Sequence, residues 1–369
     1  MHSNIRRITV RLFSIAFVLL SAACEKEKST PGQSPATSVK PGPVEHIDAS
    51  ERIAAAKLIP TLDPAKNDIR IFTAEIRGAF DEGKFDQLEK TAAELRKSKA
   101  LFDEGSWKLK IFYDALEARF NAGEDFWLTD LKTYEKWRKA FPNSLTRRIG
   151  MINLFTNYAW HARGSGYARD VTQANHRLFQ SRLKQAAMIF AETRNLSAKD
   201  PCCQLAALRI ALGQGWPNAQ FQRLVTEATS LEPTFWHIHL AHCNSLLPRW
   251  YGKEGDWEAC AERASTQPGG LGDETYARIV ISMNPYFANP FRDSRASWPK
   301  TKNGLAILKK KYPQSLEFPS QIARLATMGN DQALAKSAFD EIGEQFLESV
   351  WHKPERMVHL RTWAMTGKW

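Results

Sequence analysis

Four side chains that could bind a metal ion or move protons lie close together in the sequence: His237, His239, His242 and Cys243. On a helix, His239 lies three residues from His242 and four from Cys243, so these side chains could share a face. A zinc site needs a further ligand from another segment, since no carboxylate lies within this run. Two interpretations stay open: a metal-dependent or hydrolytic centre, or histidines packed in a core.

The rest of the sequence carries no catalytic signature. It contains no H-E-x-x-H motif, no nucleophile elbow and no phosphate-binding loop. We therefore expect no enzymatic activity, no cofactor and no bound metal, with an envelope hydrolase built on His237, His239 and His242 as the alternative.

Beyond Cys24, the cysteines are Cys202, Cys203, Cys243 and Cys260. In an oxidising compartment they could form disulfides, either between the adjacent pair and one of the later two, or between Cys243 and Cys260. The connectivity does not follow from the sequence. Buried free thiols are the other interpretation, because Cys243 and Cys260 fall where helical repeats need a small apolar residue.

A short aromatic segment, Arg249-Trp250-Tyr251-Gly252, follows Pro248 in a predicted loop. Rigid rings on a loop are candidate binding anchors, although Trp250 could instead fold back over the core. The expected binding surface combines this loop with the groove side of the preceding helix, and it consists of His237, Asn244, Arg249, Trp250 and Tyr251. A protein or peptide is the expected ligand, with a small molecule or glycan stacked on Trp250 and Tyr251 as the alternative.

These residues belong to a chain whose hydrophobic pattern is helical almost throughout. Ile69, Phe72, Ile76 and Phe80 form one apolar stripe at helical spacing. Further helices are predicted near 85–95, 107–120, 126–140, 144–163, 172–194, 204–212, 219–231, 235–247, 257–265, 275–283, 301–310, 316–328, 332–346 and 354–364. The fold class is therefore predicted to be all-α.

Four segments resemble parts of a tetratricopeptide repeat. They are Ala228-Thr-Ser-Leu231-Glu-Pro233, Gly255-Asp-Trp257 with Cys260 and Ala264, Gly83-Lys-Phe85 with Leu88 and Ala92, and Asn330-Asp-Gln332 with Ala335 and Phe339. The resemblance covers about half of residues 49–369. It implies helical hairpins that stack into an α-solenoid. The helices between Phe126 and Arg194 exceed a standard repeat, and a plain helical bundle is the alternative.

A second resemblance concerns the same region. Three stretches are similar to bacterial proteins grouped as domain of unknown function 4034. They are Ser245-Leu-Leu-Pro-Arg-Trp-Tyr251-Gly252 running into Trp257, Trp107 with Phe112-Tyr113, and Tyr158-Ala-Trp160 with Arg163-Gly-Ser-Gly-Tyr167. The similarity spans about residues 70–290. It implies a helical fold and no particular chemistry.

The first 48 residues indicate export. Basic residues precede the nine-residue apolar run 12–20, which is too short to span a bilayer but typical of a signal peptide covering 1–23. Leu20-Ser-Ala-Ala-Cys24 resembles a bacterial lipoprotein signal, with Ser21 standing where leucine is commonest. The resemblance implies that Cys24 carries the lipid. With Lys26, rather than an aspartate, at the second position after Cys24, we expect an outer-membrane lipoprotein facing the periplasm.

Composition limits the remaining choices. Residues 24–48 include a Pro-, Ser- and Gly-rich linker, and 49–369 form the body. The formal charge of +11 falls to about +9 for the body once the basic signal peptide and the slightly acidic linker are set aside. No basic block is interleaved with aromatic residues, so we expect no nucleic-acid partner. The sequence predicts a membrane-anchored scaffold that binds a protein or peptide.

Overall fold

The computed structural model describes residues 54–117, 123–164, 170–196 and 199–368. The signal peptide, Cys24 and the linker lie outside these ranges. Inside them the chain is an all-α array of helical hairpins, which confirms the predicted fold class. No helix of the described ranges combines the length and the apolar character needed to cross a membrane.

Consecutive helices pair as hairpins along most of the array. The first half contains α1 (Asn67–Asp81), α2 (Phe85–Ser98), α3 (Lys108–Ala115), α4 (Glu124–Ala140), α5 (Leu145–Arg163), α6 (Gln173–Thr193), α7 (Pro201–Gln214) and α8 (Asn218–Leu231). The second half contains α9 (His237–Ser245), α10 (Asp256–Ser265), α11 (Asp273–Met283), α12 (Pro290–Asp293), α13 (Trp298–Lys311), α14 (Glu317–Met328), α15 (Gln332–Ile342), α16 (Glu348–Trp351) and α17 (Pro354–Thr366).

The array has an inner and an outer row of helices. The inner helices α5, α7, α9 and α11 pack side by side, and each also packs against its hairpin partner α6, α8, α10 or α13. An inner helix is therefore covered on several sides, which explains why α7 (PCCQLAALRIALGQ) is apolar around most of its circumference. Outer helices bury one stripe, as α2 does with Phe85, Leu88, Ala92 and Leu95.

Local sequence signals set many helix boundaries. The Ser144 hydroxyl accepts a hydrogen bond from the Arg147 amide at 2.8 Å and caps α5, and Thr172 caps α6 in the same way. The Asp200 carboxylate accepts from the Cys202 amide at 2.9 Å and caps α7. Each side chain satisfies an amide that has no partner within its own helix.

One predicted helix is too long. The sequence predicts a helix over 332–346, whereas α15 ends at Ile342, where Gly343 follows with a φ of 56°. The chain then forms β2 (Gln345–Phe346), which pairs in parallel with β1 (Ile59–Pro60) near the start of the described body. A contact between such distant segments overrides the local helical pattern.

This short strand pair is part of a closure between the two ends of the body. The Asp63 carboxylate accepts hydrogen bonds from the Ser315 hydroxyl at 2.8 Å and from the backbone amides of Leu316 and Glu317 at 3.1 and 3.2 Å. Lys66 forms an ion pair with Glu317. The N-terminal segment thus caps the start of α14.

The loop between α2 and α3 adds a second closing contact. Its Gly105 carbonyl accepts a hydrogen bond from the Trp236 indole at 3.3 Å. Gly105 has a φ of 87°, and a Cβ there would lie 2.4 Å from both the Arg278 guanidinium and the Tyr312 ring. The backbone must approach these side chains closely, so this position requires glycine. The loop after the first hairpin therefore packs against the later repeats.

Candidate functional site

The five predicted binding residues lie on α9 and in the loop that follows it, but most of them are inside the protein. His237, Asn244 and Trp250 are buried and Arg249 is half-buried. Tyr251 has 43% of its surface exposed. The expectation that the α9 residues face an open groove is wrong for this structure, because His237 and Asn244 are both buried.

His237 belongs to an aromatic cluster in the core. Its ring lies 3.6 Å from the Trp236 ring and 5.4 Å from the Phe235 ring, measured between centroids. Burial, together with the nearby charges of Lys110 and Arg278, lowers the pKa of His237 well below its usual value. The imidazole is therefore neutral at pH 7 and acts as a packed aromatic side chain.

His239 and His242 lie in a different environment. Burial and the neighbouring His242 lower the pKa of His239 to about 4. His242 lies 3.4 Å from the Cys260 sulfur through Nδ1, and its ring packs near Phe221. Among the residues that the structure describes, no three His, Cys, Asp or Glu side chains are grouped to hold a metal ion.

The loop after α9 is held by stacking between arginine and aromatic side chains. The Arg249 guanidinium lies 5.0 Å from the Tyr286 ring centroid and 5.9 Å from that of Trp250. Trp250 meets Trp160 of α5 edge to face at 5.8 Å. These contacts join the loop to α5 and to the segment after α11, so Trp250 folds over the core.

Tyr251 is the exposed member of this loop, and it is positioned firmly. Its hydroxyl donates to the Leu212 carbonyl at 2.7 Å, near the end of α7. The same hydroxyl approaches Gly215, where a Cβ would lie 3.3 Å away. The ring is therefore a rigid surface feature on one edge of the array.

A larger concavity lies at the opposite end of α5, and the sequence did not point to it. This cleft has a volume of about 750 Å³ and is lined by Glu89, Arg96, Asn143, Ser144, Leu145, Arg148, Glu192, Asn195 and Leu196. Its walls come from α2, from the start of α5 and from the end of α6. We call it the polar cleft.

Charges of both signs line the polar cleft, and its two arginines are paired with carboxylates. The Arg148 guanidinium lies 3.3 Å from the Glu192 carboxylate and donates to the Ser144 carbonyl at 3.2 Å. Arg96 lies 3.3 Å from the buried Asp200 carboxylate, and this network raises the pKa of Arg96 against the effect of burial. Exposed Asn143 and Asn195 add neutral amides at the rim. The cleft is polar and nearly balanced in charge.

Sequence reasoning missed the polar cleft for a simple reason. Its residues are separated by about a hundred positions, and each is unremarkable alone. The sequence predicted a helix near 144–163, but nothing in it indicated that α2 and the end of α6 meet at the start of that helix.

Comparisons of the chain with protein-family models, with curated proteins and with solved structures find no match. The resemblance to domain of unknown function 4034 therefore stays a prediction. The site must be interpreted from its own chemistry.

Proposed function

We propose that this chain is a membrane-tethered, non-enzymatic scaffold that binds a protein or peptide in the polar cleft. The tether is the lipid that the sequence predicts on Cys24. The observation that carries the proposal is a concave surface built by three helices of a hairpin array, with both charges and exposed amides at its rim.

The chemistry of the cleft suits the backbone of an extended peptide. The side chains of Asn143 and Asn195 each offer donors and an acceptor, which matches the alternating amides and carbonyls of a peptide. A volume of about 750 Å³ accommodates several residues. Because Arg96 and Arg148 already pair with acids of the same protein, a strongly anionic ligand is not favoured.

Two alternatives receive less support. A hydrolase built on His237, His239 and His242 needs these rings to converge, whereas His237 stacks in an aromatic cluster apart from the partners of His242. A glycan platform on Trp250 and Tyr251 retains only the Tyr251 ring, because Trp250 is buried.

Site-specific photocross-linking in intact cells tests the proposal. A benzophenone amino acid is placed at Asn195 in the cleft, at Tyr251 on the other edge, or at exposed Ile307 on α13 as the control. We expect a discrete protein adduct at Asn195 that Arg148→Glu weakens and Arg223→Glu, on exposed α8 surface, does not. Adducts at Tyr251 alone would place binding in the loop, and adducts no stronger than at Ile307 would contradict the scaffold.

Labelling with a palmitate analogue tests the tether independently. We expect the full chain to incorporate the label and the Cys24→Ala variant to lose it. Equal labelling of both would contradict lipidation at Cys24 and leave the cleft proposal standing.

A further inference from the structure

Two cysteines of one hairpin lie against each other in the core. Cys243 is on α9 and Cys260 is on α10, and their sulfur atoms are 2.7 Å apart. The exposed fractions of these residues are 0% and 3%. A disulfide bond is about 2.05 Å long, so these sulfurs need to approach each other by less than about 1 Å to be joined.

The surroundings make the two thiols chemically unequal. Cys260 accepts a hydrogen bond from the Cys243 thiol and lies 3.4 Å from Nδ1 of His242. The hydrogen bond from Cys243, together with His242, lowers the pKa of Cys260 to about 5 against the opposing effect of burial. Burial, with the neighbouring Cys260, raises the pKa of Cys243. Cys260 is therefore the thiolate of the pair and the better nucleophile at neutral pH.

We propose that Cys243 and Cys260 are a disulfide-forming pair that cross-links α9 to α10 when the chain meets a disulfide oxidant. The Cys260 thiolate attacks one sulfur of the oxidant and displaces the other as a thiolate. Cys243 then loses its proton and attacks the mixed disulfide at the Cys260 sulfur, so the oxidant leaves as two thiols. Two electrons pass to the oxidant, its two sulfurs take up one proton from Cys243 and one from solvent, and one S–S bond replaces another.

The other two described cysteines serve as an internal contrast. The Cys203 thiol donates to the Thr193 hydroxyl at 3.4 Å, and Cys202 lies next to the Asp200 cap. Burial raises the pKa of both Cys202 and Cys203, the latter to about 12. In the described part of the chain, neither sulfur lies against the sulfur of a cysteine on another helix. Both cysteines are therefore expected to stay as thiols.

A metal bridging the same side chains is the competing chemistry. Cys243, Cys260 and His242 are soft ligands of the types that zinc prefers. However, a metal must sit between its ligands, and two sulfurs in direct contact leave it no room. A disulfide is the chemistry that this spacing favours.

Peptide mapping of the purified full chain tests the proposal without reference to its location in the cell. The protein is refolded from denaturant in the presence of oxidised glutathione, alkylated in denaturant without reduction and digested with trypsin. We expect residues 224–249 and 254–263 to appear as one linked species that separates on reduction, while peptide 200–209 is alkylated at both cysteines.

Thermal unfolding supplies the second measurement. Closing the loop between Cys243 and Cys260 is expected to raise Tm by about 4–8 °C, and dithiothreitol should remove this gain. Cys243→Ser with Cys260→Ser should abolish the dithiothreitol effect, whereas Cys202→Ser with Cys203→Ser should retain it. Alkylation of both Cys243 and Cys260 in the oxidised protein would overturn the proposal, as would one bound zinc ion released by alkylating them. Neither result bears on the polar cleft.

Discussion

At the scale of single residues, burial decides what the histidines of α9 do. His237 and His239 both have lowered pKa values, and burial is the main cause for each. Burying a neutral imidazole costs little free energy of folding at pH 7. In acid, however, the unfolded chain binds a proton at this side chain that the folded protein does not bind. These residues therefore make the protein sensitive to acid.

We predict acid destabilisation from His239. Its pKa is about 4 when folded, against about 6.5 for a histidine in the unfolded chain, so between these two pH values the unfolded chain binds the proton more strongly. The contribution is complete above pH 6.5 and shrinks as the pH falls, by about 2 kcal/mol at pH 5. Urea unfolding of wild type and His239→Gln at pH 7.5 and 5 measures this difference.

The matched control for this prediction is His176→Gln, which removes an exposed histidine from α6. Wild type and His176→Gln should lose the same free energy of unfolding between the two pH values, and His239→Gln should lose less. An equal loss in all three proteins would show that His239 is not responsible.

At the scale of helices, close approach depends on small residues between the rows. A Cβ at Gly304 of α13 would lie 2.0 Å from the Asp273 carbonyl and 2.7 Å from the Ala277 Cβ on α11. The two helices are packed backbone against backbone at this point. The spacing of the hairpin depends on the absence of a side chain.

Gly304→Ala is therefore predicted to destabilise the protein, by about 1–3 kcal/mol, because α11 and α13 must move apart. Gly78→Ala is the control, since a Cβ there meets nothing within 4 Å on α1. It should instead stabilise by about 0.5–1 kcal/mol through the higher helix propensity of alanine. Chemical denaturation distinguishes the two, and a neutral Gly304→Ala would mean that the hairpin tolerates a wider gap.

At the scale of the whole molecule, the body closes between its first and last hairpins. Ala55 and Leu58 are buried with the C-terminal core, which includes Phe346 and Trp351. Asp63 links the same regions through hydrogen bonds to the start of α14. An open solenoid lacks such contacts, because each repeat touches only its neighbours.

Asp63→Ala is predicted to loosen this closure. Loss of the carboxylate removes the side-chain acceptor of the Leu316 amide and one of the two acceptors of the Glu317 amide, the Ser315 hydroxyl being the other, and costs about 1–3 kcal/mol. Hydrogen exchange should accelerate at these amides and at Ile59 and Thr61, whose amides donate across the strand pair. Asp103→Ala, in an exposed part of the α2–α3 loop, should leave exchange unchanged. Equal protection in Asp63→Ala would mean that the strands hold the closure alone.

The sequence predicted what depends on nearby residues. The helices predicted near 144–163 and 172–194 are α5 and α6, and Ala92, Ala264 and Ala335 are buried where the repeat resemblance requires small residues. These features follow from spacing along one hairpin, so they can be read locally.

The sequence could not predict the features that depend on contacts between distant segments of the chain. The Arg96–Asp200 pair builds one wall of the polar cleft across about a hundred residues, and the Asp63–Ser315 contact closes the body across an even longer stretch. His237 and Asn244 are likewise buried inside the array and do not line a groove. Helical periodicity identifies an apolar face but not the segment that covers it.

The pairing of Ile59 with Gln345 also has a consequence for biosynthesis. A ribosome releases the N-terminal hairpin long before the residues that cover it exist. The apolar side chains of Ala55 and Leu58 therefore stay in contact with solvent or a chaperone until nearly the whole polypeptide has emerged. Truncated products that end before β2 cannot shelter these residues, so premature termination should yield chains that quality-control proteases recognise.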